Sequence, residues 1–267
     1  MEDELEIPAV LSFAGLDPTG GAGLQADIEA LASMGAHGCP VATALTVQDT
    51  RTVHRIMPVP LTDIVEQARA VLEDISVAAV KVGLLGSVGA AEAVHSILSD
   101  YPDLPVVVDP VLASGDGTPL ADAALVEALR VLVLPLATVA TPNSLEARRL
   151  APEADSLEAC AQEILDLGTR FVLVTGAHEP GEAVSNVLYG NHRLLERYDW
   201  ARLPHDYHGS GCTLSAAIAG LLAHGLEPYS AIAEAQEYTW EALRHGTRPG
   251  LGQHLPNRFF WAHEEEA

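Results

Sequence analysis

Short apolar runs alternate with helix-length stretches along most of this 267-residue chain, and that alternation restricts the fold more than any other feature. Strand-like runs lie at Ala9–Ala14, Cys39–Thr46, Val77–Val82, Val106–Asp109, Thr138–Thr141 and Phe171–Val174. Helical patterns run through 24–34, 61–73, 88–98, 121–133 and 156–167. Val-rich strands separated by helices predict an α/β fold with a mostly parallel sheet covered on both faces. Ala183–Tyr189 and His192–Tyr198, around Gly190-Asn191, read as a β-hairpin. Helices over 211–224 and 229–245 follow. No linker, repeat or low-complexity segment divides the chain, so a single domain over 1–267 is expected, with disordered ends at 1–7 and 263–267.

Two glycine-rich segments carry chemical signals. His208-Gly209-Ser210-Gly211-Cys212-Thr213 leads straight into a small-residue helix. The first N–H groups of a helix have no intrahelical partners, and with the dipole they suit an anion, phosphate above all. Cys212 sits at that helix start, where a thiol pKa is expected to fall, so it is a candidate base. An ordinary tight connection would leave the same trace. At the other end, the first strand runs into Gly15-Leu16-Asp17-Pro18-Thr19-Gly20-Gly21-Ala22-Gly23. That spacing is neither the dinucleotide fingerprint nor a P-loop. In the helix after it, Leu24, Ile28 and Leu31 recur on one face and are expected to pack inward. Asp27 flanks that face, either complementing the dipole or bonding a ligand above it.

Composition excludes several classes. The formal net charge of −23 argues against nucleic acid or an anionic membrane as a partner. It fits either a salt-rich habitat or simply a soluble acidic protein. No apolar run reaches spanning length, and Glu2-Asp3-Glu4 is unlike a secretory leader. Cys39, Cys160 and Cys212 are too few and too scattered for a disulfide framework or a zinc site. A cytoplasmic enzyme is expected.

The glycine segment at 15–23, continued by Leu24-Gln25-Ala26-Asp27, resembles the N-terminal signature of hydroxymethylpyrimidine/phosphomethylpyrimidine kinases, thiamin-biosynthesis members of the ribokinase superfamily. Gly35–Cys39, Thr43–Thr50, Lys81–Leu85, Asp109-Pro110-Val111, Thr141-Pro142-Asn143 with Glu146, and Gly209–Ser215 continue the match in order. The resemblance implies a ribokinase-like three-layer α/β/α sandwich, ATP and Mg2+ as cofactors, a small pyrimidine as substrate and a homodimer. It places Gln48 on the pyrimidine edge, where an amide offers both donor and acceptor. Gly15, Ala22, Asp27, Thr46, Leu84 and Val111 would complete that pocket, although plain core packing explains the apolar ones equally. Asn143, Glu146, Thr175, Gly176 and His208 would serve the nucleotide. Glu146 and Asp109 would act on magnesium indirectly, while Gly209, Ser210, Gly211 and Cys212 form the catalytic turn. Asn143 with Glu146 also reads as a capping box, and the two roles can coexist.

The chain departs from the family pattern in three places. A family lysine is absent from Val174–His178, another from Val111–Asp116, and a third from Pro204–Tyr207. Lys81 is the only lysine in the chain. It is either a snorkelling side chain or a charge aimed at the site. The implied activity is phosphorylation of 4-amino-5-hydroxymethyl-2-methylpyrimidine and its monophosphate. The alternatives are a pyridoxal-type kinase and a degenerate member that binds the pyrimidine without transferring phosphate.

Overall fold

The computed structural model describes residues 7–263. The chain ends expected to be disordered lie outside these residues, apart from Ile7 and His263. One nine-stranded sheet runs through the molecule. Its strands are β1 (Ala9–Leu16), β2 (His37–Gln48), β3 (Val53–Pro58), β4 (Val77–Val82), β5 (Val106–Val108), β6 (Val139–Ala140), β7 (Phe171–Val174), β8 (Ala183–Gly190) and β9 (Arg193–Ala201). The order is β3-β2-β1-β4-β5-β6-β7-β8-β9. The six strands from β2 to β7 in that order pair in parallel, and β3, β8 and β9 are antiparallel additions at the two edges.

Alternation along the strands divides the core in two, because successive side chains leave a strand on opposite faces. Leu11, Phe13, Val80, Val82, Val106 and Val108 meet α2 (Leu61–Asp74), α3 (Val88–Ser99), α4 (Ala123–Ala128), α5 (Ser144–Leu150) and α6 (Leu157–Asp166). Val10, Ala79, Val107 and Val139 face α1 (Gly23–Ser33), α7 (Ser210–Ala223) and α8 (Pro228–Arg244). This is the three-layer sandwich with a mostly parallel sheet that the alternation implied.

Several local expectations need correction. The segment 53–58, unassigned in the sequence, forms the edge strand β3 on β2. That pairing extends β2 as far as Gln48, which therefore ends a strand rather than following one. The helix expected over 121–133 is α4 plus a wider turn at Leu129–Val133, just before Pro135 removes an N–H donor. Ile28 faces outward at 36% exposure, and small Ala26 and Ala30 take the inner face with Leu24 and Leu31. All three cysteines are free thiols. Among the described residues, no helix is long and apolar enough to cross a membrane.

Candidate active site

The carboxyl ends of β1, β2, β4 and β5 lie side by side, and most of the sequence motifs meet there, as ligand sites do in open α/β sheets. Gly15 packs on Leu84: a Cβ on Gly15 would stand 2.9 Å from Leu84 Cδ2. Thr46 donates its hydroxyl to the Leu16 carbonyl at 2.9 Å, tying β2 to the glycine segment. The loop itself folds around Asp17. Its Oδ1 accepts from the Thr19 N–H and hydroxyl, both at 2.8 Å, and its Oδ2 from the Ala22 N–H at 2.9 Å. The Ala22 amide is thus committed, leaving its methyl as a wall. Asp-Pro-Thr-Gly is an Asx-turn pattern, so the sequence did hold a signal for Asp17. Gln48, at the end of β2, and Val111, three residues beyond β5, are half-buried.

His208 reaches across to the same aspartate, its Nε2 2.8 Å from Asp17 Oδ2. Despite burial, hydrogen bonds from His208 and Thr19 hold the Asp17 carboxyl below its usual range. That His208 nitrogen latches the two glycine segments together. Immediately after it Gly209 adopts φ +86°, which a side chain would strain, and a Cβ there would stand 1.9 Å from the Gly21 carbonyl oxygen. Thr213 N–H makes the first intrahelical bond, to Gly209. The amides of Ser210, Gly211 and Cys212 precede it, and Gly211 is exposed.

Beneath this turn lies a cluster of buried charge. Ser12 and Lys81 are register partners on β1 and β4, facing α1. The Lys81 ammonium sits 2.9 and 3.0 Å from the two Asp27 oxygens, and Ser12 donates to Oδ2 at 2.6 Å. Both charged side chains are fully buried. Burial alone would lower the Lys81 pKa, but Asp27, then Cys212 and Asp109, hold it above the ordinary range. Lys81 is neither snorkelling nor open to phosphate, and Asp27 is sealed from any ligand. Close approach explains Gly83, where a Cβ would meet Lys81 Nζ at 2.5 Å.

Asp109, at the end of β5, lies against the Gly209–Cys212 turn: a Cβ on Gly211 would stand 3.6 Å from its Oδ2. Burial raises its pKa, Lys81 opposes this, and the neighbouring Cys212 and Ser215 favour the charged form. Burial pushes the Cys212 thiol up to about 12; Lys81 pulls it down, whereas Asp109 and Asp27 raise it further. The lowered thiol pKa expected from the helix start is therefore overturned. A dipole end is outweighed by burial among carboxylates.

Asn143 and Glu146 form the capping box of α5. Asn143 Oδ1 accepts from the Leu145 and Glu146 amides at 2.9 Å, and Glu146 Oε2 accepts from the Asn143 amide at 2.9 Å. Burial, then the nearby Asp109, pushes Glu146 up to about 8. Thr175 runs beside Asn143. Gly176 is corrected: its N–H donates to Asn186 Oδ1 at 3.0 Å in a buried contact and is not offered to a nucleotide.

Among the described residues no three His, Cys, Asp or Glu side chains converge on a metal position. The Asp109/Glu146 pair nonetheless suits an oxygen-loving cation that keeps most of its waters. An anion-binding turn beside two buried carboxylates can admit a polyphosphate only with positive charge between them. A surface cleft of about 730 Å³ is lined by Leu16–Gly20, Gln25, Glu29, Thr247 and Leu255–Phe259, and by none of the expected site residues. Ser12, Asp17, Lys81 and Arg258 are among the buried polar residues that the sequence reading missed or left open, and Arg258 has no local signal at all.

Known proteins resemble this chain in sequence and fold. The family model for phosphomethylpyrimidine kinase matches residues 17–257. A hydroxymethylpyrimidine/phosphomethylpyrimidine kinase of Streptomyces coelicolor is 38% identical over 253 residues, covering 92% of each chain. The crystal structure of a phosphomethylpyrimidine kinase from Clostridium difficile superposes with a TM-score of 0.77 at 34% identity, covering 88% of this chain and 99% of that one. A Staphylococcus aureus pyridoxal kinase bound to AMP-PCP and pyridoxal superposes at 0.86 with 26% identity, covering 97% and 96%. Fold, order of motifs and near full-length identity converge: the chain belongs to the phosphomethylpyrimidine kinase family.

Proposed function

We propose that this chain is an ATP-dependent, magnesium-requiring kinase of 4-amino-5-hydroxymethyl-2-methylpyrimidine and of its monophosphate, serving thiamin synthesis or salvage. Beyond family membership, one observation carries the reading: the Gly209–Cys212 turn opens beside Asp109 and Glu146 at the sheet end that also holds Gly15, Thr46, Gln48 and Leu84.

The Ser210, Gly211 and Cys212 amides are aligned before any phosphate arrives, so they need no reorganisation to hold the charge of a transferring phosphoryl group. Asp109 and Glu146 would hold magnesium, through water, and the bound ion would neutralise the phosphates. No lysine remains for that task, since Lys81 is bound to Asp27. Gln48 would read the pyrimidine edge, with Ala22, Leu84 and Val111 as walls. Cys212 would take the hydroxymethyl proton while passing its own to Asp109, which lies against the same turn. One proton enters the thiol as another leaves, so the pair does not require a standing thiolate.

The superposition on pyridoxal kinases supports a second reading, phosphorylation of pyridoxal. A coupled assay of ADP release with hydroxymethylpyrimidine and pyridoxal as competing substrates separates the two. The pyrimidine should give the higher kcat/KM. A preference for pyridoxal, or no ADP release with either, overturns the proposal. The same reading carries one domain per chain, a cytoplasmic location and a homodimer, the last checked by light scattering.

A further inference from the structure

We propose that Arg258, in the segment after α8, is a positioning residue that fixes the catalytic turn against the N-terminal glycine segment. The proposal rests on the kinase reading for its activity measurement but not for its binding measurement. Arg258 is 2% exposed and is the largest fully buried side chain among the described residues. A guanidinium presents five donors in a rigid fork. Here Nε donates to Thr213 Oγ1 at 2.9 Å, and Nη1 to Glu29 Oε2 at 3.0 Å and the Gly20 carbonyl at 3.4 Å. Nη2 donates to the Gly21 carbonyl. Its fork therefore touches both glycine-rich segments at once.

The contact with Thr213 sets a direction. Arg258 occupies an acceptor position of the Thr213 hydroxyl, and that hydroxyl donates to the Gly209 carbonyl at 2.8 Å. Gly209 in turn packs on Gly21, whose carbonyl Arg258 holds. The catalytic turn is thus pinned on both sides of Gly209, by His208 to Asp17 before it and by Thr213 to Arg258 after it. Arg258 is itself anchored, its carbonyl accepting from Ser33 Oγ at 2.7 Å and from the Tyr238 hydroxyl at 2.9 Å. A buried ion of this kind is often matched in stability by an apolar side chain of equal volume. What an apolar group cannot supply is the simultaneous grip on Gly21 and Thr213. That grip sets where the Ser210–Cys212 amides point relative to Ala22 and the pyrimidine pocket.

The test compares wild type, Arg258→Lys, Thr213→Val and Thr213→Ser. ADP and pyrimidine affinities are measured by titration calorimetry, turnover by ADP release and folding by thermal melts. Lysine keeps the charge but lacks the fork, and valine breaks the relay while keeping the guanidinium and its contacts to Gly20, Gly21 and Glu29, leaving only Nε without its acceptor. Both variants should weaken ADP binding and lower kcat by about tenfold, as expected for one lost charge-assisted hydrogen bond, with pyrimidine affinity within about twofold of wild type. Thr213→Ser should restore both, and the Arg258→Lys/Thr213→Val double variant should be no worse than either single one. A folded Arg258→Lys or Thr213→Val protein with wild-type ADP affinity overturns the proposal. So does an equal loss of ADP and pyrimidine affinity, which marks general loosening. Should Arg258→Lys fail to fold, Thr213→Val decides. A wild-type protein that turns over no pyrimidine refutes the kinase reading alone, because ADP binding still reports on Arg258.

Discussion

Two groups of buried charge lie near the Gly209–Cys212 turn, and they are compensated in opposite ways. In the first, Asp27 receives the Lys81 ammonium at both oxygens and the Ser12 hydroxyl at one, and nothing from outside is needed. In the second, Asp109 and Glu146 are two carboxyls only partly compensated, Asp109 by the field of Lys81 and Glu146 by backbone hydrogen bonds and the field of Arg149, and burial pushes the Glu146 pKa up to about 8. Equal burial therefore has different meanings. The neutralised group holds β1, β4 and α1 together, while the undercompensated group has room for a positive charge that the protein does not provide.

The sharpest way to break this contrast is Lys81→Met. Leaving Asp27 buried without its partner should cost about 3–5 kcal/mol in urea unfolding. Adding Asp27→Leu should recover most of the stability but not the activity, because Asp109 and Cys212 still lack the ammonium. A single variant as stable as wild type would mean that the pair is not the structural centre described.

Cys212→Ala acts on the other group. Removing the proton acceptor should lower the first phosphorylation by about a hundredfold, about 2.7 kcal/mol, without shifting the melting temperature. The second step should lose less, since a phosphate nucleophile is already ionised near neutral pH. Equal losses in both steps would point to a damaged anion cradle instead.

Glu146→Gln tests the coupling through pH. The folded pKa of Glu146 lies above that of an unfolded glutamate, so between about 4.5 and 8 the folded protein keeps a proton that the unfolded chain has lost. Its contribution to stability therefore falls as pH rises through that window and levels off above it. The variant should remove a slope of at most about 1.4 kcal/mol per pH unit, measured by urea unfolding in magnesium-free buffer. An unchanged slope would mean that the Glu146 pKa is not raised in the folded protein. Asp17 has the opposite sign: its carboxyl is held low, and its contribution is lost as pH falls below the ordinary carboxylate range.

Gln48→Leu lies outside both groups and serves as a control. Gln48 is half-buried, so its loss should weaken pyrimidine binding by only about 1 kcal/mol, with stability unchanged. Calorimetry showing wild-type affinity would remove Gln48 from the pocket.

Much of the fold was legible because period-2 and period-3.6 patterns are local. Val77–Val82 and Phe171–Val174 are read with the bounds they have in the structure. Edge strand β3 was not legible, since an exposed, half-polar strand shows little alternation and forms by pairing with β2. At the site, the glycine turns, the Asn143/Glu146 cap and the Asp17 turn all show in short motifs, because each closes within a few residues of itself.

What the sequence determined alone is therefore the layered architecture, the two glycine turns and the capping box, all products of neighbouring residues. Tertiary structure decided which polar groups remain free. Asp27 and His208 carry the right chemistry for a ligand, yet Lys81 and Asp17, distant in sequence, already occupy them. Cys212 stands at a helix start that should favour thiolate, yet burial beside Asp109 reverses the sign. Arg258 carries no motif, and only the packed fold brings its fork to Gly20, Gly21 and Thr213. Desolvation and long-range pairing depend on what surrounds a group in space, and adjacent residues hold no record of it.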